Sequence, residues 1–189
     1  MTPPQLSLFA PQPVWPEGLR YAADRLTEAD EQALVERMAQ VPFRAFEFHG
    51  FQGNRRTHSY GWRYAFDGSG LHQAEPLPDW LLPLRDAAAD WAGLERDAIG
   101  HALLTEYAPG AGIGWHRDRS VFGEVVGVSL LAPARLRFRR KAGSGWERAA
   151  LLAEPRSFYM LTGPARTEWE HSITPMEALR YSVTFRTLK

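Results

Sequence analysis

Two stretches of the chain repeat apolar residues at the spacing of an amphipathic helix. The first begins after the capping residue Thr27 and ends before Pro42. The second begins after Pro78 and ends at Gly93. Their apolar stripes consist of Leu34, Val35 and Met38 in the first and of Trp80, Leu84, Ala88 and Trp91 in the second. We expect two N-terminal helices that pack on the rest of the fold.

The other apolar runs are short and are separated by Gly and Pro, as is typical of β-strands. Between residues 43 and 66, aromatic and polar residues alternate around two glycines, which predicts strands joined by a flexible turn. Further strands are predicted at residues 101–108, 125–131, 134–140, 147–153, 157–163 and 180–188. This spacing favours a mainly β (α+β) fold, a sandwich or jelly roll with the N-terminal helices packed on its sheet.

Length and composition fit one globular domain, since the 189 residues are 44% hydrophobic and 23% charged. Residues 1–18 are rich in Pro and Gln and predict a flexible tail ahead of a domain over residues 19–189. No apolar run reaches the roughly 18 residues of a membrane helix, and the N-terminus lacks an export signal. We therefore expect a cytoplasmic protein without membrane association.

The absence of cysteine excludes disulfides, thiolate zinc sites and iron–sulfur clusters, so a metal would need His and carboxylate ligands. His116 and Asp118 are two residues apart in an extended stretch, so both side chains leave the same face with Cα atoms about 6.6 Å apart. His171 offers a third ligand just after the predicted strand 157–163. Two histidines and a carboxylate form the facial triad of non-haem Fe(II) oxygenases, although the H-x-D pair alone is common.

The C-terminal strand places four polar residues on one face, Arg180, Ser182, Thr184 and Arg186, and turns Tyr181, Val183 and Phe185 to the core. The two arginine Cα atoms would lie about 20 Å apart, which suits a short dicarboxylate between inward-leaning guanidinium groups. The alternative is a solvated edge strand that carries two unrelated arginines.

These motifs together resemble the AlkB family of Fe(II)- and 2-oxoglutarate-dependent dioxygenases from about residue 27 to the end. The resemblance is carried by Tyr107-Ala108-Pro109-Gly110, His116-Arg117-Asp118, His171 and the strand from Arg180 to Arg186. It implies a double-stranded β-helix that uses Fe(II), 2-oxoglutarate and O₂. The implied iron ligands are His116, Asp118 and His171, and the implied 2-oxoglutarate contacts are Tyr107, Arg180, Ser182, Thr184 and Arg186. Thr105 and Ser182 stand where the family usually has Asn, and Ser120 stands where some members have an acidic residue.

The resemblance implies oxidative dealkylation of nucleobases in DNA repair, with release of succinate, CO₂ and an aldehyde. The partner would be DNA with a single-stranded or flipped target base, or else RNA. The alternatives are an oxygenase that acts on a protein side chain or small metabolite, and a non-catalytic jelly-roll binding module.

The chain as a whole is neutral, with 22 basic and 22 acidic residues, so nucleic-acid binding would need local basic patches. One candidate patch interleaves arginines with the aromatic residues Tyr60, Trp62 and Tyr64, which could stack a base. The other is the strand face with Arg135, Arg137 and Arg139, which could contact phosphates. For both, the alternative is a strand with core aromatic residues and solvated cations.

The N-terminal tail contains Gln5-Leu6-Ser7-Leu8-Phe9, which resembles the Q-L-x-L-F peptide with which bacterial repair and replication proteins dock on the DNA sliding clamp. The resemblance implies clamp contacts by Gln5, Leu6, Leu8 and Phe9, and it favours DNA as the substrate. The alternatives are a chance pentapeptide or an arm that packs on its own domain.

Overall fold

The computed structural model describes residues 15–48, 51–65 and 67–189. The helices are α1 (Glu28–Met38), α2 (Leu82–Ala92) and α3 (Gly163–Thr167), with 3-10 turns at Asp79–Leu81 and Arg96–Ala98. The strands are β1 (Leu19–Ala22), β2 (Arg44–Phe48), β3 (Phe51–Tyr60), β4 (Trp62–Ala65), β5 (Gly70–Gln73), β6 (Ile99–Tyr107), β7 (Ile113–His116), β8 (Phe122–Leu130), β9 (Ala134–Ala142), β10 (Gly145–Ala153), β11 (Phe158–Leu161), β12 (Glu170–Ile173) and β13 (Arg180–Leu188). In the described part of the chain, no helix has the length and apolar character needed to cross a membrane. The clamp-like motif, Gln5, Leu6, Leu8 and Phe9, lies outside the described residues.

Two antiparallel sheets form the body of the fold. The large sheet has the strand order β1-β11-β8-β13-β6-β3-β2, and the small sheet has the order β10-β9-β12-β7. A separate hairpin pairs β4 with β5. One buried apolar cluster combines Val125 and Leu161 of the large sheet with Leu136 and Phe138 of the small sheet, so the two sheets pack face to face. The architecture confirms the predicted jelly roll of the double-stranded β-helix type.

The helices cover the other face of the large sheet. A second buried cluster combines Met38 of α1 and Ala88 of α2 with Leu104, Val128 and Val183 of the large sheet. The predicted packing of the N-terminal helices on the sheet is therefore confirmed. The large sheet has an apolar core on each side, and the inner one lies between the two sheets.

Both predicted helices keep the ends that the sequence indicates. Thr27 caps α1, because its hydroxyl oxygen accepts a 3.1 Å hydrogen bond from the backbone N–H of Asp30. The Asp30 carboxylate in turn accepts a 3.1 Å hydrogen bond from the backbone N–H of Thr27. Gly93 ends α2 with a φ of 74°, a conformation that costs glycine little. The first turn of the second helix, Asp79–Leu81, is 3-10 rather than α.

Several strand boundaries differ from the prediction. Strand β11 ends at Leu161, short of the expected residue 163, because Gly163 adopts a φ of 49° and Pro164 follows it in the first turn of α3. The strands β1, β5 and β12 have four residues each, and runs this short contain too little alternation to be recognised from sequence. His171 therefore lies inside a strand, not after one.

Strand β13 lies between β8 and β6 in the middle of the large sheet. Tyr181, Val183 and Phe185 face the helices. The opposite face is buried between the two sheets and carries Arg180, Ser182, Thr184 and Arg186. The solvated edge-strand interpretation is wrong, because hydrogen-bonded neighbours cover both edges of β13 and both arginines are buried.

Candidate active site

The three predicted iron ligands come together at one end of the small sheet. His116 is the last residue of β7 and lies opposite His171 of β12 in the antiparallel register, and Asp118 follows two residues later. One donor atom from each of the three residues lies within 4.8 Å of the other two. Sequence spacing brings His116 and Asp118 together, but only strand pairing can supply His171, which is distant along the chain.

The two imidazole rings are in a form that can bind a metal. The Nδ1 atom of His116 is 2.9 Å from the Gly114 carbonyl oxygen, which can only accept, so Nδ1 carries the proton and Nε2 keeps its lone pair. Burial lowers the pKa of His116, although Asp118 opposes the shift. Burial, and then the positive charge of His116 once that ring is protonated, lower the pKa of His171 to about 3. Both rings are therefore neutral at physiological pH, as ligation requires.

Asp118 is held by a buried arginine of the large sheet. Burial by itself would raise the pKa of Asp118, but Arg186 and the two ligand histidines outweigh it and hold that pKa far below its usual range. The Nε atom of Arg186 donates to Asp118 Oδ2 at 3.1 Å, while Nη1 lies 3.3 Å from Nδ1 of His101. A guanidinium can only donate, so His101 accepts. This contact places His101 beside the site, although no sequence motif points to it.

The second arginine of β13, Arg180, has a buried side chain with unused donors. Its exposed fraction is 0%. Its Nε donates to Ser129 Oγ at 3.1 Å, but neither Nη1 nor Nη2 has a hydrogen-bond partner. The Tyr107 ring lies beside the guanidinium, with its centre 5.1 Å from Cζ. A buried cation with two free donors requires an anionic partner, and a carboxylate of 2-oxoglutarate matches the planar fork.

The other predicted cosubstrate residues line the same inner face. The register places Tyr107 opposite Arg180 and Thr105 opposite Ser182, whose other neighbour is Ser129. Both positions at which the chain departs from the family's Asn therefore lie side by side. They leave a row of hydroxyl groups next to Arg180, and hydroxyls can both donate to and accept from a bound acid.

Tyr159 also belongs to this pocket, although the sequence analysis does not single it out. It lies in the apolar run of β11, which is typical of a core strand. Its ring covers Gly127 of β8, where any Cβ would overlap it. Burial raises the pKa of Tyr159, while the neighbouring Arg180 lowers it. A glycine in the middle of β8 was the available signal for this close approach.

The predicted base-stacking residues divide into two groups. Tyr60 is 8% exposed and packs in the core beneath the helices, next to His58, so the prediction that it contacts substrate is wrong. Local alternation could not reveal which face of β3 the helices cover. Trp62 and Tyr64 are partly exposed on β4, and the guanidinium of Arg119 lies 4.9 Å from the Tyr64 ring centre. Tyr64 therefore contacts the loop that carries Asp118.

The predicted phosphate-binding arginines lie on the outer face of the small sheet. Arg135 is exposed, Arg137 donates to Ser172 Oγ at 3.1 Å, and Arg139 forms a 2.6 Å ion pair with Glu170. The register places Glu170 opposite Arg139 and His171 opposite Phe138, so these arginines and the iron ligand point to opposite sides of the sheet.

Comparisons with known proteins agree with this geometry. Residues 18–186 match the model of the 2OG-Fe(II) oxygenase superfamily. The chain is 28% identical to the alpha-ketoglutarate-dependent dioxygenase AlkB of Salmonella typhimurium, over 96% of this chain and 97% of that protein. It is 29% identical to the tRNA (carboxymethyluridine(34)-5-O)-methyltransferase alkbh8 of Xenopus tropicalis, over 65% of this chain and 20% of that protein. It is 28% identical to the probable RNA/DNA demethylase ALKBH6 of Danio rerio, over 59% of this chain and 45% of that protein.

A solved structure shares the fold. The structure of OsALKBH1 superposes with a TM-score of 0.69 at 15% identity and covers 93% of this chain and 99% of that chain. The chain spans only 18% to 50% of the length of six curated relatives that it matches. The family model and the nearly full-length match to AlkB show that this chain belongs to the 2OG-Fe(II) oxygenase superfamily, as an AlkB-like Fe(II)- and 2-oxoglutarate-dependent dioxygenase.

Proposed function

We propose that this dioxygenase removes alkyl groups oxidatively from nucleobases and that its substrate is DNA. The observation that carries the proposal is the contact between Tyr64 and Arg119, which brings an aromatic ring and a cation, the two kinds of group that bind bases and phosphates, to the loop of the metal ligand Asp118. The similarity to a probable RNA/DNA demethylase supports a nucleic-acid substrate. A base would reach this buried site only from a single strand or after extrusion from a duplex.

The residues of the chain divide the work of this reaction. Fe(II) with 2-oxoglutarate and O₂ supplies the oxidising power that an inert carbon–hydrogen bond requires. His116, Asp118 and His171 would hold the metal through three positions and leave the others open. Arg180 would hold a carboxylate of the cosubstrate, and Arg186 keeps Asp118 ionised and in place. Overall, one oxygen atom of O₂ would enter succinate as 2-oxoglutarate loses CO₂, and the other would enter the N-alkyl group, which leaves as an aldehyde and restores the N–H of the base.

The test is turnover on a panel of N-methylated oligonucleotides as single-stranded DNA, duplex DNA and single-stranded RNA. We expect formaldehyde and succinate in equal amounts, with DNA preferred, and neither product from the unmodified oligonucleotide or from Asp118→Ala. Turnover on a protein or metabolite but on no oligonucleotide would refute the proposal. Faster turnover on RNA than on DNA would refute the DNA assignment alone.

We also propose that the tail docks on the DNA sliding clamp through Gln5, Leu6, Leu8 and Phe9. The support is the sequence resemblance, together with the advantage of a tether that raises the local concentration of the enzyme at replicating DNA. Full-length protein should bind the clamp with micromolar affinity. Replacing Leu8 and Phe9 with Ala should eliminate binding, whereas Ser7→Ala, at the variable position, should preserve it. Full-length protein that does not bind the clamp would refute this proposal.

A further inference from the structure

The outer face of the small sheet carries a ladder of stacked aromatic and cationic side chains. Cζ of Arg139 lies 4.4 Å from the ring centre of Trp115 and 4.3 Å from that of Trp146, so its guanidinium contacts two indoles. Cζ of Arg137 is 5.0 Å from Trp115, and Nζ of Lys141 is 4.9 Å from Trp146. We call this surface, Trp115, Arg135, Arg137, Arg139, Lys141, Trp146 and Arg148, the Trp–Arg face.

The Trp–Arg face carries an excess of positive charge on a chain whose net charge is zero. The uninterrupted register between β9 and β10 puts its five cations on one side of the sheet. The carboxylate on the same side is Glu170 of β12, which pairs with Arg139. Arg135 and Arg148 are exposed and, among the described residues, have no carboxylate within ion-pair distance. Such a surface favours a polyanion.

Trp146 gives this charged surface a flat apolar element. Its exposed fraction is 37%, which makes it one of the exposed large apolar residues of the described chain. A nucleobase of any identity can stack on the exposed part of this indole, and the two cations that contact the ring are placed to bind the neighbouring phosphates. Alternating phosphate-binding cations and aromatic rings are the arrangement with which proteins bind single strands.

The Trp–Arg face is also close to the metal ligands. Trp115 and His116 are consecutive residues of β7, and their side chains leave opposite sides of the small sheet. Strand β7 is an edge strand of that sheet. Only one strand edge therefore separates the Trp–Arg face from the iron site. A single-stranded nucleic acid with one base in the iron site can pass around the edge of β7 onto the outer face of the small sheet.

We propose that the Trp–Arg face binds single-stranded nucleic acid flanking the target nucleotide, with phosphates on Arg135, Lys141 and Arg148 and a base stacked on Trp146. This inference rests on the proposed nucleic-acid substrate. It also revises the sequence-based expectation for Arg135, Arg137 and Arg139. The ion pair with Glu170 neutralises Arg139, whose guanidinium lies between the two indoles. We therefore assign the phosphate contacts to the exposed cations Arg135, Lys141 and Arg148.

The test is the affinity of the full-length protein for an unmodified, fluorescein-labelled dT 20-mer, measured by anisotropy at several salt concentrations. Trp146→Ala should weaken binding about fivefold or more, the effect of losing one base–aromatic stack, and Trp146→Phe should recover most of it. Replacing Arg135, Lys141 and Arg148 with Ala should make the slope of log affinity against log salt shallower by about 2. Arg25→Ala, which removes an exposed charge between β1 and α1, is the matched control and should change neither. Thermal unfolding checks that each variant is folded.

The unmodified strand separates this inference from the proposed function, since its binding requires neither iron nor an alkylated base. If binding depends on salt and is weakened in the Trp146 and cation variants, the Trp–Arg face binds single strands. This conclusion would hold even if no methylated oligonucleotide were turned over. Parent-like affinity and salt slope in these variants would overturn the inference, even if turnover were observed. Tighter binding to anionic lipid vesicles than to the 20-mer, lost in the same variants, would also overturn it.

Discussion

The two arginines of β13 have the same chemistry but different partners, and the partners decide their roles. Arg186 donates hydrogen bonds from Nε to Asp118 and from Nη1 to His101, so it supports a metal ligand. Arg180 keeps two donors without a partner in a fully buried position. An unpaired buried guanidinium is costly, and a bound carboxylate removes that cost. We therefore assign the main cosubstrate contact to Arg180.

We predict that Arg180→Lys weakens 2-oxoglutarate binding at least about tenfold, because an ammonium lacks the planar fork that binds a carboxylate through two hydrogen bonds. The measurement is calorimetric titration of the Mn(II)-loaded protein with 2-oxoglutarate. Arg135→Lys serves as the control, since Arg135 is exposed on the outer face of the small sheet. Equal cosubstrate affinity in parent and Arg180→Lys would contradict the assignment.

His101 predicts a pH dependence of stability. Burial, followed by the charge of Arg186, holds the pKa of His101 well below its usual value. The unfolded chain takes up this proton near pH 6.5, whereas the folded protein does not, so stability is present above pH 6.5 and is lost as the pH falls. As the pH falls from 6.5 to 5, the slope of the unfolding free energy against pH should be smaller in His101→Gln than in the parent, by a difference that grows to about 1.4 kcal/mol per pH unit. Urea denaturation of the metal-free protein at several pH values measures it, and identical slopes would refute the role of His101.

At the scale of elements, the short helix α3 braces the loop that carries Asp118. Arg166 is 7% exposed and donates to four backbone carbonyls, those of Asp118, Arg119, Phe122 and Gly123, at 2.6 to 3.2 Å. One side chain thus binds four carbonyls of the turn that follows β7. The loop geometry, and with it the position of Asp118, depends on this guanidinium.

We predict that Arg166→Lys lowers the free energy of unfolding by at least about 2 kcal/mol and weakens Mn(II) binding, because one ammonium cannot reach four carbonyls and leaves buried acceptors unsatisfied. Urea denaturation and metal titration provide the two measurements. The matched control is Arg117→Lys, since Arg117 is exposed and makes one long contact, 3.4 Å, to the Thr167 carbonyl. A stable variant with parent-like metal affinity would exclude the bracing role.

Local periodicity in the sequence predicts which residues of one strand share a face, but not which strands pair with each other. Period two along β13 was sufficient to place Arg180 and Arg186 on one face, because that periodicity is local. Ser129 and Tyr159, by contrast, reach Arg180 only through pairing between strands that are distant along the chain. The error at Tyr60 has the same origin, since both faces of the large sheet are apolar and the sequence does not show which one the helices cover.

At the scale of the whole molecule, the site joins the two sheets. His116 and His171 belong to the small sheet, and Arg186, which binds Asp118, belongs to the large sheet. Metal and cosubstrate bound here contact only the folded protein, so they stabilise it by mass action. We predict that Mn(II) and 2-oxoglutarate at about 100 times their dissociation constants add about 2.7 kcal/mol each to the free energy of unfolding. Thermal shift assays with Asp118→Ala as the control would detect it, and equal shifts in both proteins would contradict the assigned ligands.

The position of Asp118 between Arg186 and the two histidines gives the jelly roll a mechanical property. Among the described residues, the two sheets meet largely through apolar side chains, whereas the ion pair of Arg186 with Asp118 is a directional link between β13 and the loop after β7, and a metal bound to Asp118 would extend that link to both histidines. Pulling β13 away from β7 would have to break the Arg186–Asp118 ion pair before the sheets separate. The force at which a single molecule opens should therefore report whether the metal is bound.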